Sequence, residues 1–163
     1  PSSNPSILIV SGIPCSGKSH FIKKNHTYYN NYCVLQFDRI MEGLKIYNRT
    51  LKVDDPEAAF SKCEFIVRVF GYSILCNLLY GYYNIIFEHS STIDEHVELY
   101  KYIRDEHQYK VDMKFIDVEL EVALNRNSVG RTNDRYTSPE LIIERYHKFH
   151  DLKPEYEKTL NFV

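Results

Sequence analysis

The chain's most specific chemistry lies in Gly12-Ile13-Pro14-Cys15-Ser16-Gly17-Lys18-Ser19, a G-x-x-x-x-G-K-S run preceded by the apolar stretch Ile7-Leu8-Ile9-Val10. An apolar strand running into this pattern, with a helix opening near Lys18, is the context in which such a loop cradles phosphate. Gly12 and Gly17 let the backbone curl without a Cβ in the way. The curl aims backbone N–H groups at one centre, and the helix N-terminus adds its positive dipole there. Ile13, Pro14, Cys15 and Ser16 complete the cradle. Lys18 is expected to reach the β- and γ-phosphates of a nucleoside triphosphate, and the Ser19 hydroxyl to ligate Mg²⁺.

Three further groups bear on what is done with that nucleotide. Asp38 follows the apolar run Cys33 to Phe37. Ligands of open parallel sheets bind outside the carboxyl ends of strands, so Asp38 is expected at the active edge. There it would orient an acceptor hydroxyl and take its proton, or else cap the next helix. Glu88 ends the run Asn84-Ile85-Ile86-Phe87. An acid there assists Mg²⁺ or its water shell, binds substrate, or forms a surface ion pair. Arg126, Arg131 and Arg135 fall in a polar stretch from Asn125 with almost no core-forming residues. That composition predicts a mobile lid, and a lid arginine stabilises charge spread over a phosphoryl group in transfer. Arg126 and Arg131 are the stronger catalytic candidates. Arg39, with Lys45 and Arg49, would bind an anionic acceptor or form a solvated helix face.

The elements that must position these groups alternate. Strands are predicted at Ile7 to Val10, Cys33 to Phe37, Asn84 to Glu88, Val111 to Asp117 and Leu160 to Val163. Helices are predicted from Lys18 to Asn25, Arg39 to Tyr47, Asp55 to Tyr80, Ile93 to His107, Glu119 to Asn125 and Pro139 to His150. In the third, Ala59, Cys63, Ile66, Phe70 and Leu78 form the expected core face, and Gly71 a bend. Alternation of this kind predicts an α/β fold, a three-layer sandwich around a mainly parallel sheet of about five strands, as one domain with a lid near residues 126–137.

Bulk properties narrow the classes. The chain has 163 residues and a formal net charge of −2, so global charge gives no nucleic-acid footprint. Cys15, Cys33, Cys63 and Cys76 fit neither a C-x-x-C site nor a compact disulfide framework, which predicts a reducing, cytoplasmic setting. No apolar run approaches the length of a membrane span and no signal peptide is visible, so no membrane partner is expected. No protein partner is indicated. His147 and His150 lie three apart, but nothing completes a metal site with them. His89 is expected to be exposed or structural.

Taken together, the residues resemble the small P-loop kinases that include polynucleotide kinases, zeta-toxin-type kinases and seryl-tRNA kinases. The likeness rests on Gly12 to Ser19, strand-end Asp38, Asn84 to Glu88, Asn125-Arg126-Asn127 through Arg131, and Tyr136-Thr137-Ser138-Pro139-Glu140-Leu141-Ile142 with Tyr146. It implies a P-loop kinase fold using ATP and Mg²⁺, with Asp38 as general base, Lys18 and Ser19 on phosphate and metal, and lid arginines on the phosphates. The chain departs from the pattern in His20, in the Thr137-Ser138-Pro139 junction, and in Thr132-Asn133-Asp134 beyond Arg131. Glu88 matches the zeta type, where an acid there contacts substrate; the lid is closer to the polynucleotide and tRNA kinases. The expectation is a kinase acting on a hydroxyl of a nucleotide-containing acceptor, foremost a polynucleotide 5′-end. A modified base or tRNA and a nucleotide sugar are further acceptors, and a nucleotide-dependent switch or adaptor ATPase is the rival. A nucleoside monophosphate kinase ranks lower, because only Arg49 and Arg68 are arginines between Asn48 and Gly81.

Overall fold

The computed structural model describes residues 1–51, 56–130 and 137–163. Five strands, β1 (Ser6–Ser11), β2 (Cys33–Gln36), β3 (Ile85–Glu88), β4 (Lys110–Phe115) and β5 (Asn161–Phe162), form one sheet. Their order is β2-β3-β1-β4-β5 and every pairing is parallel. The helices are α1 (Lys18–Lys24), α2 (Phe37–Gly43), α3 (Lys45–Leu51), α4 (Pro56–Tyr80), α5 (Asp94–Asp105), α6 (Leu120–Gly130) and α7 (Pro139–Thr159).

β1 is buried on both faces, because a central parallel strand is covered by helices on each side. Ile7 and Ile9 join a core with Leu75, Leu79, Tyr100, Ile103 and Tyr156, from α4, α5 and α7. Leu8 and Val10 face the other way, toward Ile22 of α1 and Ile86. Register aligns Gln36 with Glu88 and Glu88 with Val10, so three strands end in one row. The chain leaves this row into Phe37, His89 and Ser11, and the site is built on that edge.

Local structure departs from the sequence expectation in instructive places. Phe37 opens α2 instead of closing β2, and Asp38 sits in the first helical turn, where a carboxylate meets the positive end of the helix dipole. The single helix expected from Arg39 to Tyr47 is two, broken at Leu44, which has extended backbone dihedrals. The buried stripe of α4 is Ala59, Cys63, Val67, Gly71, Leu75 and Leu79, at steps of four. Phe70 is outward and half exposed. Gly71 does not end or interrupt the helix. It is the point of closest approach, since a Cβ there would collide with the Phe37 ring. Asn125 to Gly130 is helical, not loop, because α6 continues through it. α7 runs on to Thr159 with Pro154 inside.

The expectation about membrane-length apolar segments also changes. Ala58–Tyr80 is long and apolar enough to cross a membrane by length and composition. In the fold it lies on α2, β2 and α3, with one stripe in the core. All four cysteines are free. The helix start expected at Asp55 lies outside the described residues, whereas α4 does begin at Pro56.

Candidate active site

The loop after β1 is shaped by two glycines. Gly17 has φ of 106°, a conformation that favours glycine, and forms the N-cap of α1. At Gly12 a Cβ would lie 2.7 Å from the Ile116 carbonyl oxygen, so any side chain would push the loop away from β4. Cys15 also has positive φ, at 66°. The Lys18 ammonium folds over the loop and donates to the carbonyls of Gly12 at 2.6 Å and Ile13 at 3.1 Å. Ser16 Oγ is buried without a hydrogen-bond partner. A buried hydroxyl left so is costly unless a ligand completes it, and a phosphate seated in the cradle would.

α6 brings Arg126 onto this loop. Its guanidinium donates to the carbonyl of Cys15 at 3.1 Å and of Ser16 at 3.4 Å. α6 is held there by a side-chain staple near its C-terminal end. Asn127 is buried, and its amide donates to the Thr137 carbonyl at 2.6 Å while its Oδ1 accepts from the Thr137 N–H at 3.1 Å. The two bonds staple the end of α6 to the start of α7, so both feet of the intervening segment are fixed. Ser138 then caps α7, accepting from Leu141 N–H.

Lys18, Ser19, Asp38, Glu88 and Arg126 line one cavity of about 900 Å³. The phosphate loop forms one end; Phe60, Val67 and Tyr72, from α4, line it with Tyr47, and Ile93 precedes α5. Arg39 is not among the lining residues and pairs with Glu42 at 3.2 Å instead. Arg131 and Arg135 lie outside the described residues. Glu88 accepts from Gln36 Nε2 at 2.6 Å, a bond between residues in register on neighbouring strands. Among the described residues no three His, Cys, Asp or Glu side chains cluster to hold a metal alone. Mg²⁺ suits the site differently: it usually takes one or two protein oxygens together with phosphate oxygens, and Ser19 and Glu88 both face the cavity.

The sequence gives little warning of the wall behind Glu88. His89 is buried, its Nε2 bonded to Tyr72 OH at 2.9 Å and its Nδ1 to Tyr100 OH. Tyr100 reaches Ser91 Oγ at 2.6 Å, Ser91 Oγ meets Ser11 Oγ, and Tyr156 OH donates to the Ser91 carbonyl at 3.0 Å. This ladder joins the ends of β1 and β3 to α4, α5 and α7. His89 stacks on Phe87 at 4.4 Å between ring centroids, and His96 lies over it at 4.1 Å. Burial pushes the His89 imidazole well below its usual range, helped by His96. Burial likewise pulls His96 down to about 4.

Both imidazoles are therefore neutral in the folded chain at pH values where they would be protonated once unfolded. Between about pH 6.5 and 4 the unfolded chain binds more protons, so stability falls as pH falls through that window. Thermal melts from pH 7.5 to 4.5 should show the melting temperature dropping below about pH 6.5, with a shallower slope for His96→Asn. Equal slopes for the two proteins would remove His96 from the account.

A family model described as zeta toxin matches residues 1–159. The chain belongs to the zeta toxin family. No curated protein sequence matches it. Among solved structures, one from the PezAT toxin–antitoxin system of Streptococcus pneumoniae is similar with a TM-score of 0.70 at 14% identity, covering 98% of this chain. This zeta toxin family chain spans 65% of that one. A chain of the Pnkp1/Rnl/Hen1 RNA repair complex is similar with a TM-score of 0.66 at 17% identity, over 95% of this chain and 47% of that. Deoxyadenosine kinase from M. mycoides gives 0.60 at 14% identity, over 97% and 89%. At such identities the likeness is one of fold: this zeta toxin family member has the five-stranded parallel sheet of a P-loop kinase. Arg145 of α7 and Arg68, Glu64 and His96, which also line the cavity, were not expected from sequence. The i, i+4 spacing of Glu64 and Arg68 and the nearby Tyr72 were the available signal, but an ordinary exposed helix pair reads the same way.

Proposed function

We propose that this protein is an ATP- and Mg²⁺-dependent kinase that phosphorylates a hydroxyl of a nucleotide-containing acceptor. The observation that carries the reading is the shared cavity, with the phosphate loop at one end, Asp38 on its wall and Arg126 docked on the loop. Mg²⁺-ATP, when bound, supplies the γ-phosphoryl group. Lys18 would exchange its two loop carbonyls for phosphate oxygens, Ser16 Oγ would gain a partner, and the Ser19 hydroxyl would be available to hold the metal. Asp38 would take the proton of the acceptor hydroxyl as its oxygen bonds to the γ-phosphorus and the bond from that phosphorus to the β,γ-bridging oxygen breaks; the proton ends on the carboxylate and ADP leaves with the electron pair. Arg126, docked on the loop carbonyls, would stabilise the charge that builds on the transferred group.

Membership of the zeta toxin family, the Glu88 position and the net charge of −2 favour a small nucleotide acceptor such as a nucleotide sugar over a polynucleotide. The polynucleotide 5′-end remains the second reading, supported by the likeness to the RNA repair complex. The toxin–antitoxin origin of another similar structure supports a protein partner for this chain.

The test is transfer from γ-labelled ATP to nucleotide sugars, 5′-hydroxyl DNA and RNA, and tRNA. Label should appear on a hydroxyl of one class, nucleotide sugars first. ATP turnover that ignores every acceptor would replace the kinase with a nucleotide-dependent switch.

A further inference from the structure

Besides the phosphate loop, the cavity is lined by a group of charged side chains from α4 and α7. Arg145, on the pocket side of α7, is half-buried and lines the cavity. Among the described residues it makes no ion pair and no hydrogen bond, whereas Arg39, Arg68, Arg104 and Arg126 each do. Its guanidinium is pulled below its usual proton affinity chiefly by burial, with the Asp38 and Glu64 carboxylates opposing and Arg68 adding repulsion. Arg68 pairs with Glu64, so that carboxylate is already engaged. A cation removed from water without a direct partner is unfavourable, and in a pocket the compensating anion is commonly the ligand.

His96 adds a neutral donor to the same cavity. Its Nδ1 accepts a hydrogen bond from the Thr92 N–H at 3.2 Å, so the ring proton resides on Nε2. Among the described residues that Nε2–H has no partner, and the ring lines the cavity. Arg68 acts electrostatically on both His96 and Arg145, which puts the three groups in one neighbourhood. A planar guanidinium matches the paired oxygens of a phosphate, and a neutral N–H suits a third oxygen without adding repulsion.

We propose that Arg145, with Arg68 and the Nε2–H of His96, forms an anion subsite for a phosphate group that the acceptor already carries, distinct from the group being transferred. The assignment rests on the kinase reading for the donor end. Because Arg145 senses Asp38, the bound phosphate would lie near the reacting hydroxyl, and a phosphate-free nucleoside or sugar would be a poor acceptor.

The test separates the two ends. A non-hydrolysable ATP analogue with Mg²⁺ is first titrated into wild type and Arg145→Ala by calorimetry, and both should bind it alike. Failure of wild type to bind it would sink the donor reading itself. With the analogue saturating, inorganic pyrophosphate is titrated as the anion probe. Wild type should bind it, Arg145→Ala at least about tenfold more weakly, and Arg145→Lys between the two, since lysine keeps the charge but not the fork. Displacement of pyrophosphate by a nucleoside diphosphate sugar or by a 5′-hydroxyl dinucleotide would support the subsite and tell a pyrophosphate source from a phosphodiester one. Equal pyrophosphate affinity in wild type and a normally melting Arg145→Ala, or no pyrophosphate binding by wild type, would overturn the proposal.

Discussion

Asp38→Asn should lower the turnover of phosphoryl transfer by about 10²–10⁴-fold, the usual worth of a positioned general base. The reason is local and specific. Asn keeps the size and a hydrogen-bond acceptor, but it cannot take the proton that the acceptor hydroxyl must lose. Asp38 sits in the first turn of α2 and is exposed to the cavity, so the change disturbs no core packing. ATP affinity should stay near wild type, because on the proposed reading Lys18 and the loop, not Asp38, would hold the donor. Rate measurements at saturating acceptor, with nucleotide binding measured separately, separate the two. A variant that transfers phosphate at the wild-type rate would leave Asp38 as a helix-dipole partner and nothing more. Loss of the Asp38 charge also removes one of the counter-charges of Arg145, so acceptor affinity should rise for anionic acceptors while turnover falls.

Arg126→Ala should cost about 10³-fold in turnover, the lower end of what a single arginine supplies to a phosphoryl transition state. The side chain is anchored by two loop carbonyls and is otherwise exposed, so its loss should leave the melting temperature nearly unchanged. Arg126→Lys should recover only part of the rate, because an ammonium cannot present two parallel N–H groups. Arg131→Ala measured alongside distinguishes the two lid candidates. A full rate for Arg126→Ala with the loss appearing in Arg131→Ala would assign the transition-state contact to Arg131.

Much of the donor end was legible in the chain because its physics is local. A curled loop needs glycine at fixed spacing, an apolar strand before it and a helix after it, and all lie within Ile7 to Lys24. The acidic edge could also be read, since apolar runs of strand length reach Phe37 and Phe87 and are followed at once by Asp38 and Glu88. The acceptor end was not legible. Arg145 looks like one more polar residue on an amphipathic helix, and only the packing of α7 onto α5 and α6 brings it into the cavity that Asp38 lines. The polar run after Asn125 looked like loop because it lacks apolar residues. Asn127 can nevertheless be buried in α6, because Thr137, ten residues on, satisfies both ends of its amide. His89 gave no hint of burial either, since the hydroxyls that satisfy its ring, those of Tyr72 and Tyr100, come from two different helices.

By itself, then, the sequence determined the phosphate loop, the parallel α/β sheet and the carboxylates at its edge, because each follows from spacing within one strand–turn–helix unit. Only the tertiary structure decided which cations meet those carboxylates. Arg126 reaches the loop across more than a hundred residues of chain, and Arg145 comes into the pocket from the last helix. Charge pairing at such separations depends on how helices stack, which no local pattern encodes.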